Sequence, residues 1–224
     1  MKIYFLPVII TQWIIRLITK AIFSTCCNLK VEGLENLKGV DAPVIFAANH
    51  ASEWDGPLIR TAMPMISKFG PMFYVGMDKE FYRNKNFGLR GYFYGSSLFK
   101  LVGAYPIYYG LKNYKIALKN HIKILKDSGS VTIFPEGERS KDGKVGEFKP
   151  GVIALAHYTK TPIIPVHIKN THNLTIRSFF KRKKHVFIKF GNPIVVQENI
   201  KDTDFMETFK KQTSDLRKNI IELL

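Results

Sequence analysis

Cysteine is almost missing from this 224-residue chain: only Cys26 and Cys27 occur, and they are adjacent. Neighbouring cysteines rarely meet disulfide geometry, and no third cysteine is there to close a loop, so the chain is not a disulfide-built extracellular domain. A reducing, cytosolic setting is the simpler expectation. The chain also lacks a linker rich in Gly, Pro or Ser and lacks an internal repeat, which removes the usual signs of several domains or a solenoid. No Walker loop, no Gly-x-Ser-x-Gly elbow and no metal-spaced Cys/His cluster appears, so no metal site is expected. Acidic residues are scarce as well. Eighteen Asp and Glu stand against 34 Lys and Arg, a formal net charge of +16. So strong a basic excess implies an anionic partner, whether nucleic acid, an anionic membrane or a phosphorylated substrate.

What is present begins with apolar residues, 46% of the chain, enough for one domain with a substantial core and too many for a disordered protein. The richest part is residues 1–24. Ile3 to Ile10 is an unbroken apolar run, continued by Trp13, Ile14, Ile15, Leu17, Ile18, Ala21, Ile22 and Phe23. A transmembrane helix needs about 20 predominantly apolar residues. Here Pro7, Thr11, Gln12, Arg16 and Lys20 interrupt the run, and the two cations are four residues apart on one helix face. The segment reads as an interfacial helix or a re-entrant helical pair, with Trp13 near the headgroups and Arg16 and Lys20 snorkelling. A cleaved signal peptide and a plain buried helix are the competing readings, and the Ser24-Thr25-Cys26 context is a poor cleavage site.

After this segment, short apolar runs alternate with amphipathic ones. Strands are predicted over 28–32, 43–48, 72–77, 105–109, 131–134, 162–168 and 186–190. Helices are predicted after Gly56, over 113–126 and 151–158, and over 204–224. This alternation predicts an α/β fold: a mixed, largely buried β-sheet flanked by helices, with an N-terminal membrane-interfacial helical segment. Residues 1–27 are expected to form the membrane-associated segment and residues 28–224 the main domain. Glycines at 88, 91, 95 and 103 among aromatics suggest a closely packed helix or a channel wall.

Two polar clusters follow buried strands. The first is Asn49-His50-Ala51-Ser52-Glu53-Trp54-Asp55. On a straight helix a spacing of five turns roughly 500° and points two side chains about 140° apart. His50 and Asp55 can face each other only if His50 lies in the loop and Asp55 near the helix N-terminus. Taken on spacing alone, they are a loop histidine beside a capping aspartate, or a general base with its orienting carboxylate. The second cluster is Pro135-Glu136-Gly137-Glu138-Arg139-Ser140, a charged turn straight after a strand, where α/β folds place sites. Arg139 offers a planar fork of donors suited to a phosphate, and Glu136 is placed to orient that guanidinium or a loop backbone. Taken alone, it reads equally as a solvated turn. Downstream, Lys149 brings another cation at a helix start, and Pro162 and Pro165 bracket a short core strand.

In this order the segments resemble the glycerolipid acyltransferase family that includes bacterial lysophosphatidate acyltransferase. The carriers are His50 to Asp55 (His-x4-Asp), Gly103 to Tyr109, Phe134 to Ser140 (Phe-Pro-Glu-Gly-x-Arg-Ser) and Pro162 to Val166, with Val31 to Leu37 resembling the family's entry strand. The family often has Arg where this chain has Tyr109, and more usually Thr where it has Glu138. The resemblance implies an O-acyltransferase. His50 is the general base on the free hydroxyl of a lysophospholipid, most simply 1-acylglycerol-3-phosphate, and Asp55 orients it. The acyl donor is a thioester, acyl-CoA or acyl-acyl-carrier-protein, used as co-substrate with no separate cofactor. The resemblance also puts the acceptor's phosphate on Arg139, with Glu136 and Gly137 shaping its loop, Lys149 nearby, and Lys79 matching a phosphate-binding lysine more loosely. Glycerol-3-phosphate, another lysophospholipid and a lyso-aminolipid remain alternative acceptors. The expected partners are anionic membrane lipid, the lysophospholipid and the thioester carrier, at the cytoplasmic face of a membrane, peripherally or monotopically. Phe179 to Lys184 fits a membrane contact, a carrier dock or a solvated hairpin. A non-enzymatic nucleic-acid or membrane-binding module is the other class; the ordered motifs weigh against it, and no nucleic acid is expected.

Overall fold

The computed structural model describes residues 2–77, 97–108, 110–111, 113–174, 184–196 and 205–223. Lys79, Tyr109 and the Phe179 to Lys183 part of the basic run therefore lie outside the described residues. So does most of the glycine-spaced stretch.

The strands are β1 (Cys27–Glu32), β2 (Ile45–Ala48), β3 (Met72–Gly76), β4 (Ala104–Pro106), β5 (Ser130–Ile133), β6 (Ile163–Lys169) and β7 (Lys184–Phe190). They form one sheet in the order β1-β7-β6-β2-β5-β3-β4. β7 runs antiparallel to β6 and parallel to β1, and the remaining neighbours pair in parallel. The sheet is thus mixed, as expected. β2 and β5 are buried at every residue; β2 reads as an unbroken apolar run, as a strand covered on both faces does, whereas β5 also buries the hydroxyls of Ser130 and Thr132.

The helices are α1 (Phe5–Cys26), α2 (Asp55–Ala62), α3 (Ser97–Leu101), α4 (Tyr114–Ala117), α5 (Lys119–Lys126), α6 (Gly151–Thr159) and α7 (Phe205–Glu222). They cover both faces of the sheet. One core gathers Ile45, Val131, Ile124, Leu155 and Phe209 from β2, β5, α5, α6 and α7. The other gathers Phe23, Phe46, Leu58, Ile59 and Phe190 from α1, β2, α2 and β7.

Three elements differ from the sequence expectation. The helix over 113–126 bends at Leu118 into α4 and α5, because Leu118 leaves helical geometry at φ −100°, ψ 11°. Hydrogen bonds still cross the bend, from Leu118 N–H to Tyr114 and from Ile122 N–H to Leu118, so the two pieces stay joined. Asn113 caps the start by accepting from Lys115 and Ile116 N–H. The strand over 105–109 shrinks to Ala104–Pro106.

α1 is one continuous helix, with Pro7 tolerated in its first turn. Its polarity is inverted. The buried stripe is Phe5, Val8, Gln12, Arg16, Thr19 and Phe23, which includes its polar residues Gln12, Arg16 and Thr19. Leu6, Ile10, Ile14, Leu17 and Ile18 are each about half exposed, between 48% and 54%, and Trp13 is nearly as open. Arg16 therefore does not snorkel. Its guanidinium donates inward to the Met63 carbonyl at 2.9 and 3.2 Å, just past the end of α2. Gln12 donates to the Met72 carbonyl and accepts from Met72 N–H, at the start of β3. Orphan carbonyls after a helix and a strand's first residue need partners, and burial of these side chains follows from that need. Lys20 stays exposed, as expected.

Candidate active site

β2 and β5 are parallel neighbours in register, Ala47 opposite Ile133. Their carboxyl ends therefore lie side by side, and so do the loops that leave them: 49–54 from β2 and 134–140 from β5. Open parallel sheets carry their sites at this edge. Asn49 anchors the first loop to the third neighbour, β6, donating to the Ile168 carbonyl at 2.8 Å and accepting from Ile168 N–H at 2.7 Å.

The loop turns straight into α2, whose first residue is Asp55. His50 stays in the loop, Asp55 opens the helix, and the two meet: His50 Nδ1 to Asp55 Oδ2 is 2.9 Å. The same Asp55 oxygen accepts from Ala51 and Ser52 N–H, both at 2.7 Å, so the loop's own amides fix the carboxylate. Asp55 is fully buried, and the His50 side chain is 20% exposed. A carboxylate at Nδ1 holds that nitrogen as the donor, which leaves Nε2 as the basic atom. The ring lies flat on Phe134 of the second loop, centroids 4.1 Å apart and planes at 15°. Packing and a hydrogen bond thus both set its orientation.

The second loop grips the first. Glu136 Oε1 accepts the His50 N–H at 3.1 Å, and Ser140 N–H donates to the His50 carbonyl at 2.8 Å. Of the two roles open to Glu136, the structure shows the backbone one. Burial pushes its carboxyl up to about 7; the His50 and Gly146 N–H groups pull it down, and the nearby Asp55 charge adds to the rise. The Arg139 guanidinium is held by a residue the sequence reading gave no role, Glu53, with Nη1 to Oε1 at 3.0 Å. Gly137 adopts φ +76°, and a Cβ there would come within 2.7 Å of Lys149 Nζ. Glycine thus supplies both the turn and the close approach of the lysine.

His50, Glu53, Gly137, Arg139 and Lys149 all line one cavity of about 860 Å³. The polar loops form one part of its wall. Ile15 of α1, Val75, Phe99, Val102, Ile107 and Leu118 form an apolar part. Among the described residues lining it there is no Ser, Thr or Cys; His50 lines it, while Asp55 is buried behind His50. Among the described residues no group of three or more His, Cys, Asp or Glu is placed to hold a metal ion.

The family model for acyltransferases matches residues 28–169, from the first residues of β1 to the end of β6. The chain belongs to the acyltransferase family. Both site loops fall within that match. Among similar proteins, a chloroplastic 1-acyl-sn-glycerol-3-phosphate acyltransferase of Arabidopsis thaliana is 30% identical over 145 residues, covering 64% of this chain and 36% of that protein. The 1-acyl-sn-glycerol-3-phosphate acyltransferase of Salmonella typhimurium is 33% identical over 100 residues, covering 45% of this chain and 36% of that protein. In both, the match spans little more than a third of the relative's length. The crystal structure of the 1-acyl-sn-glycerophosphate acyltransferase of Thermotoga maritima shares the fold, with a TM-score of 0.60 at 24% identity, over 95% of this chain and 79% of that one.

Sequence reasoning missed Glu53, Phe134 and Asn49 as parts of this acyltransferase-family site. Each stood inside a quoted motif, yet its partner lies far along the chain: 86 residues for Glu53 to Arg139 and 119 for Asn49 to Ile168. No local sequence pattern carried these pairs; the first follows from the parallel pairing of β2 and β5, which brings Glu53 to Arg139 of the second loop.

Proposed function

We propose that the chain transfers a fatty acyl group from a thioester to the free hydroxyl of 1-acylglycerol-3-phosphate, giving phosphatidic acid. The observation that carries this reading is the His50–Asp55 pair, with His50 lining a cavity that has Arg139 and Lys149 on one side and an apolar wall on another. The acceptor's phosphate lies with Arg139 and Lys149, and acyl chain lies along the apolar wall. His50 Nε2 takes the hydroxyl proton as the oxygen bonds to the thioester carbonyl carbon. The tetrahedral intermediate then collapses: the carbon–sulfur bond breaks, and the thiolate leaves with the proton from His50. The products are an ester and a free thiol, with no acyl-enzyme. General-base catalysis of this kind contributes roughly 10² to 10⁴ in rate. The thioester, on CoA or on an acyl carrier protein, is a co-substrate, and the scheme draws on no bound cofactor.

Two further features support a membrane setting. The exposed face of α1 is apolar while its polar residues point inward. The net charge of +16 favours an anionic surface such as a cytoplasmic leaflet. Residues 1–27 then form the membrane-contacting segment and residues 28–224 the catalytic domain. The protein lies on the bilayer peripherally or monotopically, with α1 also forming part of the cavity wall through Gln12 and Ile15.

The test is an assay of the purified chain in vesicles with a panel of lyso-acceptors and both donor types. Lysophosphatidate is expected to be acylated with the highest kcat/KM. Transfer to glycerol-3-phosphate, or to a lyso-aminolipid, with no transfer to lysophosphatidate would replace the acceptor. No transfer from either thioester would overturn the activity.

A further inference from the structure

We propose that Glu53 is a positioning residue for Arg139, tying the acceptor-phosphate site to the loop that carries the general base. The inference rests on the acceptor reading above, since it presumes that Arg139 meets a phosphate.

Arg139 sits on an exposed turn, with its side chain 41% open to solvent. An arginine in that position ordinarily samples many rotamers, and ordering it at each binding event costs affinity. Here Glu53 Oε1 accepts from Nη1, at 3.0 Å. Nη2 and Nε remain for a phosphate, which the guanidinium fork suits. Glu53 is three residues from His50, in a loop whose Ala51 and Ser52 amides are held by Asp55. Ser140, next to Arg139, is itself bonded to the His50 carbonyl at 2.8 Å. The phosphate ligand and the base are therefore joined by two links, one through backbone and one through the Glu53–Arg139 pair. A phosphate on the free edge of that guanidinium is registered against His50, as a 1-acylglycerol-3-phosphate needs if its hydroxyl is to reach Nε2.

The opposing effect is repulsion between the Glu53 carboxylate and the phosphate. Both sit at a solvent-open mouth, where water's high dielectric weakens the repulsion, and the guanidinium cation stands between the two anions. The ordering of Arg139 is therefore the larger effect, and removing Glu53 weakens acceptor binding.

The experiment is a double-mutant cycle of Glu53→Ala and Arg139→Ala in neutral vesicles, reading acceptor KM and kcat separately. Glu53→Ala is expected to raise KM for lysophosphatidate by about two- to fivefold, the range of an exposed ion pair, and to change kcat less. KM for the thioester stays constant. Glu53→Gln, which keeps a hydrogen bond and loses the charge, falls between. In the Arg139→Ala background, Glu53→Ala has no further effect on KM. With a monoacylglycerol acceptor, which has no phosphate, Glu53→Ala has none either. An unchanged or lowered KM in Glu53→Ala, while Arg139→Ala raises it, overturns the positioning role alone. An equal rise from Glu53→Ala with Arg139 absent does the same. An unchanged KM in Arg139→Ala overturns the phosphate site itself, and the positioning role with it.

Discussion

Glu136 is a site residue whose surroundings change its chemistry. Its carboxyl is buried among the site loops, accepts the His50 N–H, and titrates near 7 where an ordinary glutamate titrates near 4.5. The folded protein therefore binds this proton more tightly than the unfolded chain. The resulting stability is fully present below about pH 4.5 and is lost as pH rises through about 7. Thermal unfolding of wild type and Glu136→Gln across pH 4 to 8 measures it. The difference in Tm between the two is expected to drift in favour of Gln as pH rises through that window. A pH-independent difference would contradict the raised value. Glu136 also shows the limit of sequence reading at this scale. Its place after a buried strand marked it as functional, but its role as acceptor for a backbone N–H depends on a loop 86 residues away. His50 and Asp55 were more legible, because a strand, a loop and a helix start fix their geometry within a few residues.

Among the elements, α1 carries the least legible information and the clearest consequence. Apolar residues occur on both of its faces, so periodicity says little about which side is buried. The inward Arg16 and Gln12 answer to carbonyls at Met63 and Met72, 47 and 60 residues away. Once they are placed, the outward stripe of Trp13, Ile14 and Leu17 becomes available to lipid. Replacing these three with Ser is expected to lower binding to anionic vesicles by roughly tenfold or more, measured by sedimentation. Since the three side chains face outward, the melting temperature should move little. Undiminished vesicle binding would remove α1 from the membrane contact. Apart from the strand over 105–109, which is shorter than its signal, the other elements followed their sequence signals closely, and β2 was read from its unbroken apolar run. The bend at Leu118 was not, because the amphipathic pattern continues across it.

For the whole molecule, topology makes the site. Placing β2 between β5 and β6 brings three strand ends together, and the loops of two of them clasp each other around His50. The sequence motifs showed what those loops carry; the strand order, which no local pattern encodes, shows why segments 86 residues apart form one centre. The same architecture places α1 against the cavity, so the helix proposed to meet the membrane and the proposed catalytic site share a wall. The account depends most on His50 acting as the base with no protein nucleophile. The most direct measurement is the rate of acyl transfer to lysophosphatidate by purified His50→Ala, with circular dichroism confirming its fold. A loss of roughly 10² to 10⁴ in kcat with the fold intact is the predicted result; turnover near the wild-type rate would contradict it.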